Sequence, residues 1–272
     1  MKDEEDTARA SPILPDPCAM RKLTLTALPG MPEVAPGARL AELLLIAVAR
    51  AGMALEPGDV LVVAQKVVSK AEGRMVRLGE VTPSRRAQEL AQIAEKDPRL
   101  VELILRESRA VLRVKPGVII VEHWLGFVMA SAGIDQSNVA APGEEAALLL
   151  PKDPDASARR IRDDVCKACG AEAGVVINDS FGRAWRNGVT GVAIGVAGIP
   201  ALVDLRGTGD RGGRALRATQ VAAADELAAA ASLIMGQADE GLPAVLARGF
   251  PYPLRDGAAL ELVRPRAEDL FR

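Results

Sequence analysis

Two aspartates stand where an apolar run gives out. Asp179 follows GVVIN and is joined by Ser180; Asp135 follows MASAGI and is joined by Ser137 and Asn138. The carboxyl ends of strands are where open sheets gather their ligands. A carboxylate backed by a hydroxyl and an amide offers only oxygen donors. That suits a hard cation such as Mg2+, which takes one or two carboxylates and leaves its other positions to water and substrate phosphates. Either aspartate alone is more often a turn cap than a ligand. The pair together, with basic and glycine-rich segments nearby, points to a site that handles phosphate with a divalent metal.

Cations are at hand for the phosphate. Lys66 and Lys70 flank VVS in AQKVVSKAEG, and on an extended chain they share one face. Arg183 and Arg186 follow Asp179 in INDSFGRAWRNG. A solvated surface is the ordinary alternative for each.

Other residues look chemical and carry less. Cys166 and Cys169 form CKAC, but the chain offers only one further Cys and one His, too few for a convincing four-ligand zinc site. The pair closes the helix ASARRIRDDVCKAC ahead of Gly170, whereas a redox pair opens a helix after a strand, so both are read as structural. His123, alternating with apolar residues in VEHWLGFVMA, is read as structural too. GTGDRG, residues 207–212, matches G-x-G-x-x-G, yet no second strand ending in an acid follows at the right distance. There is no G-x-x-x-x-G-K-[ST] and no G-x-S-x-G.

The elements that must position these residues alternate irregularly. KLTLTALPG, DVLVVA, GVIIVEH, GFVMA, GVVIND and PAVLARG read as strands, the fifth stopping at its polar end. RLAELLLIAVARAGM, the segment from TPSRRAQ to LILRES split at Asp97-Pro98, PKDPDASARRIRDDVCKAC and TQVAAADELAAAASLIMG read as helices, the third capped by Asp155 or Ser157. The fold class is therefore mixed α/β, without a clean doubly wound order. No repeat divides the chain. Residues 1–21 read as a disordered tail and 22–272 as one domain.

Composition narrows the function. The 272 residues are 49% hydrophobic with a net charge of −2, so there is material for a core and no basic field to draw nucleic acid. At 3% aromatic the chain has little to stack bases on. No apolar run is long enough to span a bilayer and the first twenty residues contain no signal-peptide core, so a soluble cytoplasmic enzyme is expected. A nucleotide-binding module without turnover, or a structural oligomer, stays open at this level.

Several stretches together resemble one family. ALPGM, AQKVVSKAEGR, AGIDQSNV, LLLPKDPDASA, INDSFGRAWRNGVTGVAIGVAG, DRGGRAL and LIMGQADEGLPAV are similar in order and spacing to the coenzyme F-420-0:L-glutamate ligases, the F-420 γ-glutamyl ligases, from residue 22 to about 250. The resemblance implies an amide ligase. It would join the amine of L-glutamate to the carboxylate on the lactyl-phospho arm of a deazaflavin, coenzyme F-420-0, through an acyl phosphate made with GTP. It implies Mg2+ or Mn2+ at two sites and a monovalent ion such as K+.

Site residues carry over with it. Asp135 and Asp179 would hold the first metal, Ser180 and Gln237 the second. Leu28, Pro29, Gly30 and Met31 would border the nucleotide. Gln65, Lys66, Lys70 and Asn138 would reach it, and the loop Met235, Gly236, Gln237, Ala238, Asp239, Glu240, Gly241, Leu242 would close over it. Arg183 and Arg186 would neutralise phosphate or substrate carboxylates. In the same pattern the 207–216 loop reads D-x-x-G-R-x-L, which disposes of the dinucleotide match. Some archaeal relatives carry Ser-Thr in place of Gln65-Lys66 and Glu in place of Gln237; an amide oxygen ligates without charge, so the second metal is expected to bind more weakly. An extra flavin-reductase-like domain, found in two-domain bacterial relatives, is not expected. The fold implied is an intertwined homodimer with its groove at the subunit interface. A paralogue acting on another carboxylate acceptor fits the same residues.

Overall fold

The computed structural model describes residues 21–136 and 145–269. At its centre is a five-stranded sheet in the order β1 (Thr24–Ala27), β12 (Ala244–Arg248), β2 (Val60–Ala64), β8 (Gly174–Arg183), β9 (Arg186–Ala197). Only β2 and β8 run parallel; the other neighbours are antiparallel. The mixed α/β class is as expected.

The continuous apolar run of β2 follows from cover on both faces. Leu61 and Val63, with Val175 and Ile177 of β8, pack against α1 (Leu40–Arg50) and α5 (Pro154–Cys169). Val60, Val62 and Val176 pack on the other side against α6 (Ala223–Met235). The alanines of α6 let it lie close on β9: a Cβ at Gly191 would collide with the Ala228 backbone and the Ser232 hydroxyl.

A second layer stands beside the sheet. The three-stranded β4 (Ser108–Lys115), β5 (Val118–His123), β6 (Val128–Ala130) buries Ile119 and Val121 against α3 (Arg85–Ala94) and α4 (Pro98–Arg106). Helices α3 and α4 meet at Asp97-Pro98 as the sequence predicts, with Ser84 and Asp97 as their caps. Two short pairs complete the fold: β3 (Met75–Arg77) with β7 (Ala146–Leu148), and β10 (Val203–Asp204) with β11 (Gln220–Val221).

Three expectations are corrected. Residues Gln65–Ala71 form a helix, α2, not an extension of β2. The cap of α5 is Asp153, which accepts the Ala156 N–H at 2.9 Å ahead of Pro154; Asp155 instead accepts the N–H groups of Val196 and Ala259. And β8 does not stop at Asp179. It continues to Arg183 because β9 pairs with it the whole way, Asp179 opposite Val192 and Arg183 opposite Arg186.

No helix among the described residues is long and apolar enough to cross a membrane. Gly207 and Gly209 lie in the loop between β10 and β11 with no strand-turn-helix unit around them, so the dinucleotide pattern is incidental. Cys166 and Cys169 close α5, which Gly170 ends in a left-handed conformation.

Candidate active site

The sheet explains why distant segments meet. Strands β1, β2 and β8 point the same way and β12 runs against them, so the carboxyl ends of three strands and the amino end of the fourth share one edge. A groove of about 330 Å3 lies there. Its lining includes Met31, Lys66, Lys70, Asp179, Ser180 and Gln237.

Alternation along β8 sorts its polar end. Asn178 and Ser180 face α6 and the loop after it; Asp179 faces the other way. Ser180 Oγ donates to Gln237 Oε1 at 2.9 Å, which joins the two residues expected at the second metal. Asp179 accepts the Ser180 N–H at 2.8 Å. Burial pushes its carboxyl up to about 7, the Ser180 N–H opposes this, the neighbouring charge of Asp135 adds to it, and Lys66 pulls back.

Asp135 arrives from the second layer. Backbone hydrogen bonds in both directions with Leu148 hold it in place, 3.0 Å and 2.8 Å. Just before it, Ser131, Ala132 and Gly133 all have positive φ. Such a run is unfavourable for residues with a Cβ, and here it turns the chain sharply toward the groove. Gly133 has a φ of +67° and a Cβ there would meet the side-chain ends of Met129 and Leu150, so a larger residue would be strained.

Lys66 and Lys70 share a face because they are four apart on a helix, not because they lie on a strand. Lys66 Nζ sits 2.7 Å from Asp135 Oδ2 and Lys70 Nζ 2.5 Å from Glu33 Oε1. Gln65 is buried and donates to Ser69 Oγ at 2.9 Å.

The loop after α6 is folded around one side chain. Glu240 Oε2 accepts the Ala238 N–H at 2.8 Å. The N–H groups of Ala238, Glu240 and Gln237 together hold its carboxyl below the usual range. Gly236, with φ +76°, leaves the space that Glu240 fills.

The expected residues divide as follows. Asp179, Ser180, Gln65, Lys66, Lys70 and Met31 line the groove, as do Met235, Gly236, Gln237, Ala238, Glu240, Gly241 and Leu242. Asp135 joins them through Lys66. Leu28 is fully buried in the core, Pro29, Gly30 and Asp239 are exposed, and none of these four lines the groove. Arg183 and Arg186 pair at the far tip of the hairpin, outside it. Asn138 and Ser137 lie outside the described residues. His123 is buried, accepting the Leu125 N–H at 3.0 Å and standing 3.6 Å from Glu107. Burial works to raise the Glu107 carboxyl, and His123 and Arg74 outweigh it and hold it below the ordinary range.

Two groove residues were missed. Glu33, in MPEV, had no signal beyond an acid following a Pro-Gly turn. Asn178 was read as the end of a strand; it is buried, and its Nδ2 donates to Ser232 Oγ at 2.9 Å and lies 3.5 Å from Met235 Sδ, tying β8 to the last turn of α6.

The donor set fits a divalent metal of the Mg2+ type. Asp179 and Asp135, near enough for their charges to act on each other, and the bonded pair Ser180 and Gln237 offer only hard oxygen ligands. No group of three or more His, Cys, Asp or Glu forms a metal cage among the described residues. A site with so few carboxylates depends on substrate phosphates to complete the shell.

Comparison with known proteins identifies the family. Residues 30–249 match the family model described as F420-0:Gamma-glutamyl ligase. The chain is 48% identical over 252 residues to the coenzyme F420:L-glutamate ligase of Methanothermobacter thermautotrophicus, covering 92% of this chain and 99% of that one. It is 48% identical over 244 residues to the enzyme of the same name from Methanopyrus kandleri, covering 88% and 94%. For that of Haloarcula marismortui the figure is 43% over 252 residues, covering 90% and 94%. The chain belongs to the F420-0:gamma-glutamyl ligase family.

Proposed function

We infer that this protein is an amide ligase that adds L-glutamate to coenzyme F420-0 at the groove on the sheet edge, with GTP as phosphoryl donor. The observation that carries the reading is the meeting of Asp179, Lys66, Lys70 and the loop after α6 around one cavity, with Asp135 paired to Lys66, in a chain related along most of its length to ligases of that name.

The chemistry has two halves. A carboxylate oxygen of the acceptor attacks the γ-phosphorus of GTP; the bond to the β-bridging oxygen breaks, and GDP leaves. The glutamate amine then attacks the acyl carbon, the bond to the phosphate oxygen breaks, inorganic phosphate leaves and the nitrogen sheds a proton. Such transfers require positioning and charge neutralisation more than a protein nucleophile. Lys66 and Lys70, leaving Asp135 and Glu33, hold the phosphates. The 236–242 loop covers the groove and limits water, which would otherwise hydrolyse the acyl phosphate. Asp135, Asp179, Ser180 and Gln237 would hold divalent ions, whose charge would supply the remaining neutralisation of the transferring group.

The reading extends to a homodimer with the groove at the boundary. Trp185, at the hairpin tip, is 91% exposed with Val189 close by, an apolar projection of the sort that a second copy covers. The test of the function is direct: protein, F420-0, L-glutamate, GTP and Mn2+, with phosphate release and product mass followed. Glutamate-dependent release and a mass increase of one glutamyl residue are expected. Release only with another carboxylate acceptor would reassign the substrate.

A further inference from the structure

We propose that Arg74 is a positioning residue for the two acids of the groove. Through Glu107 and the backbone of Leu149 and Leu150, it sets where Asp135 of the second layer stands against Lys66 on α2 and Asp179 on β8. This rests on the reading of Asp135 and Asp179 as metal ligands and adds the residue that brings them into range.

The two acids belong to different layers, so the site exists only if the layers keep one spacing. Helix α2 follows β2 directly and is fixed to the sheet side at its far end. Glu72, its C-cap, accepts a hydrogen bond from Arg160 Nη2 at 2.8 Å and another from the Ser157 hydroxyl, both on α5. Gly73, with φ +66°, then reverses the chain, and the Arg74 N–H returns to the Ser69 carbonyl at 2.9 Å. The Arg74 backbone is thereby locked to the helix that carries Lys66.

From that anchor Arg74 reaches across the boundary. Its Nε donates to the Leu150 carbonyl at 2.8 Å and its Nη2 to Glu107 Oε2 at 2.7 Å. Its own carbonyl accepts the Leu149 N–H at 3.1 Å, next to Leu148, whose backbone holds Asp135. Glu107 caps α4, and its carbonyl accepts the Trp124 N–H at 3.2 Å, so it belongs to the second layer through helix and sheet alike. His123 Nε2 stands 3.6 Å from the same Glu107 oxygen. The Leu125 N–H occupies His123 Nδ1, which leaves the hydrogen of the neutral ring on Nε2. Both side chains of the Arg74–Glu107 pair are mostly buried, where water competes little for the bond. Apolar contact across the same boundary, such as Phe127 on Phe181, is non-directional. A guanidinium gripped at two nitrogens fixes direction as well as distance.

The test reads metal binding before turnover. Arg74→Lys keeps the charge and loses the two-nitrogen grip; Glu107→Gln keeps an oxygen for Arg74 and loses the charge. Mn2+ binding to the full chain with GDP present is followed by electron paramagnetic resonance, fluorescent GDP binding in chelator serves as control, and thermal melts report folding. Both variants are expected to bind Mn2+ about tenfold more weakly and to raise the Mn2+ concentration for half-maximal turnover by a similar factor. GDP binding in chelator should stay within about twofold of wild type, and kcat at saturating Mn2+ should fall less than about threefold. A lowered Tm with wild-type Mn2+ affinity makes the pair structural only and overturns the proposal, as does an equal loss of GDP binding in chelator. Glu107→Gln decides the matter by itself if Arg74→Lys does not fold. A wild-type protein that binds GDP but no Mn2+ overturns the metal reading, and the role of Arg74 with it.

Discussion

Lys66 Nζ lies 2.7 Å from Asp135 Oδ2, and the field of both reaches the Asp179 carboxyl. The groove thus carries an internal cation beside the two acids expected to bind metal. An ammonium and a dication compete for the same oxygens. Lys66→Met should therefore raise affinity for Mn2+ alone about threefold to fivefold, and lower GDP affinity about tenfold by removing a phosphate partner. Mn2+ titration by electron paramagnetic resonance reads the first, fluorescent GDP the second. Both falling together would show that Lys66 holds Asp135 in place and does not compete.

The raised Asp179 carboxyl sets a pH dependence for the metal-free protein. Its folded value, about 7, lies above the ordinary value near 3.8, so between the two the folded state binds more protons than the unfolded. Stability from this group is full below the lower value and declines as pH rises toward the higher one. Asp179→Asn removes the penalty. It should stabilise the metal-free protein by about 1–2 kcal/mol at pH 8, leave it unchanged near pH 4, and abolish turnover. Urea melts in chelator at both pH values decide the matter.

Gly191 has no unusual φ, so any cost of replacing it is steric. A methyl there meets the Ala228 backbone and the Ser232 hydroxyl. Gly191→Ala should push α6 off β9, cost about 2–3 kcal/mol, and disturb the Ser180–Gln237 contact at the helix's far end. Thermal melts measure the loss. A fully stable variant would show that α6 can slide without strain.

Glu240 occupies the N–H groups of its own loop. Successive N–H groups of this kind also bind phosphate. Glu240→Ala should free them and tighten GDP binding about threefold at low salt, with the gain shrinking as salt rises. Weaker binding would mean that Glu240 shapes the loop for the nucleotide.

Much of this was readable in advance where side-chain pattern and burial coincide. The apolar runs of β2 and β8 mark strands covered on both faces, and Asp97-Pro98 marks a helix start by its own chemistry. Asp179, Ser180, Lys66 and Lys70 stand out in the sequence because their types suit phosphate and metal, and all four line the groove. What escaped depends on partners remote in sequence. The strand continues past Asn178 because β9 supplies its ladder, a backbone matter that polar side chains do not reveal. Gln65 to Ala71 carries apolar residues that suit strand or helix, and tertiary packing chose helix. Glu33 and Glu240 acquire meaning only when loops bring them to Lys70 and to the Ala238 N–H.

One consequence follows from the unbroken run of β8 between Asp179 and Arg183. The distance between those two side chains is set by bond lengths and pleat, not by packing that mutation could adjust gradually. Inserting one residue between them would turn Arg183 to the opposite face of the strand; only a pair of residues restores its direction, and that lengthens the gap by about 7 Å. Point substitution along this hairpin is thus expected to change the chemistry at either end while leaving the reach between Asp179 and Arg183 untouched.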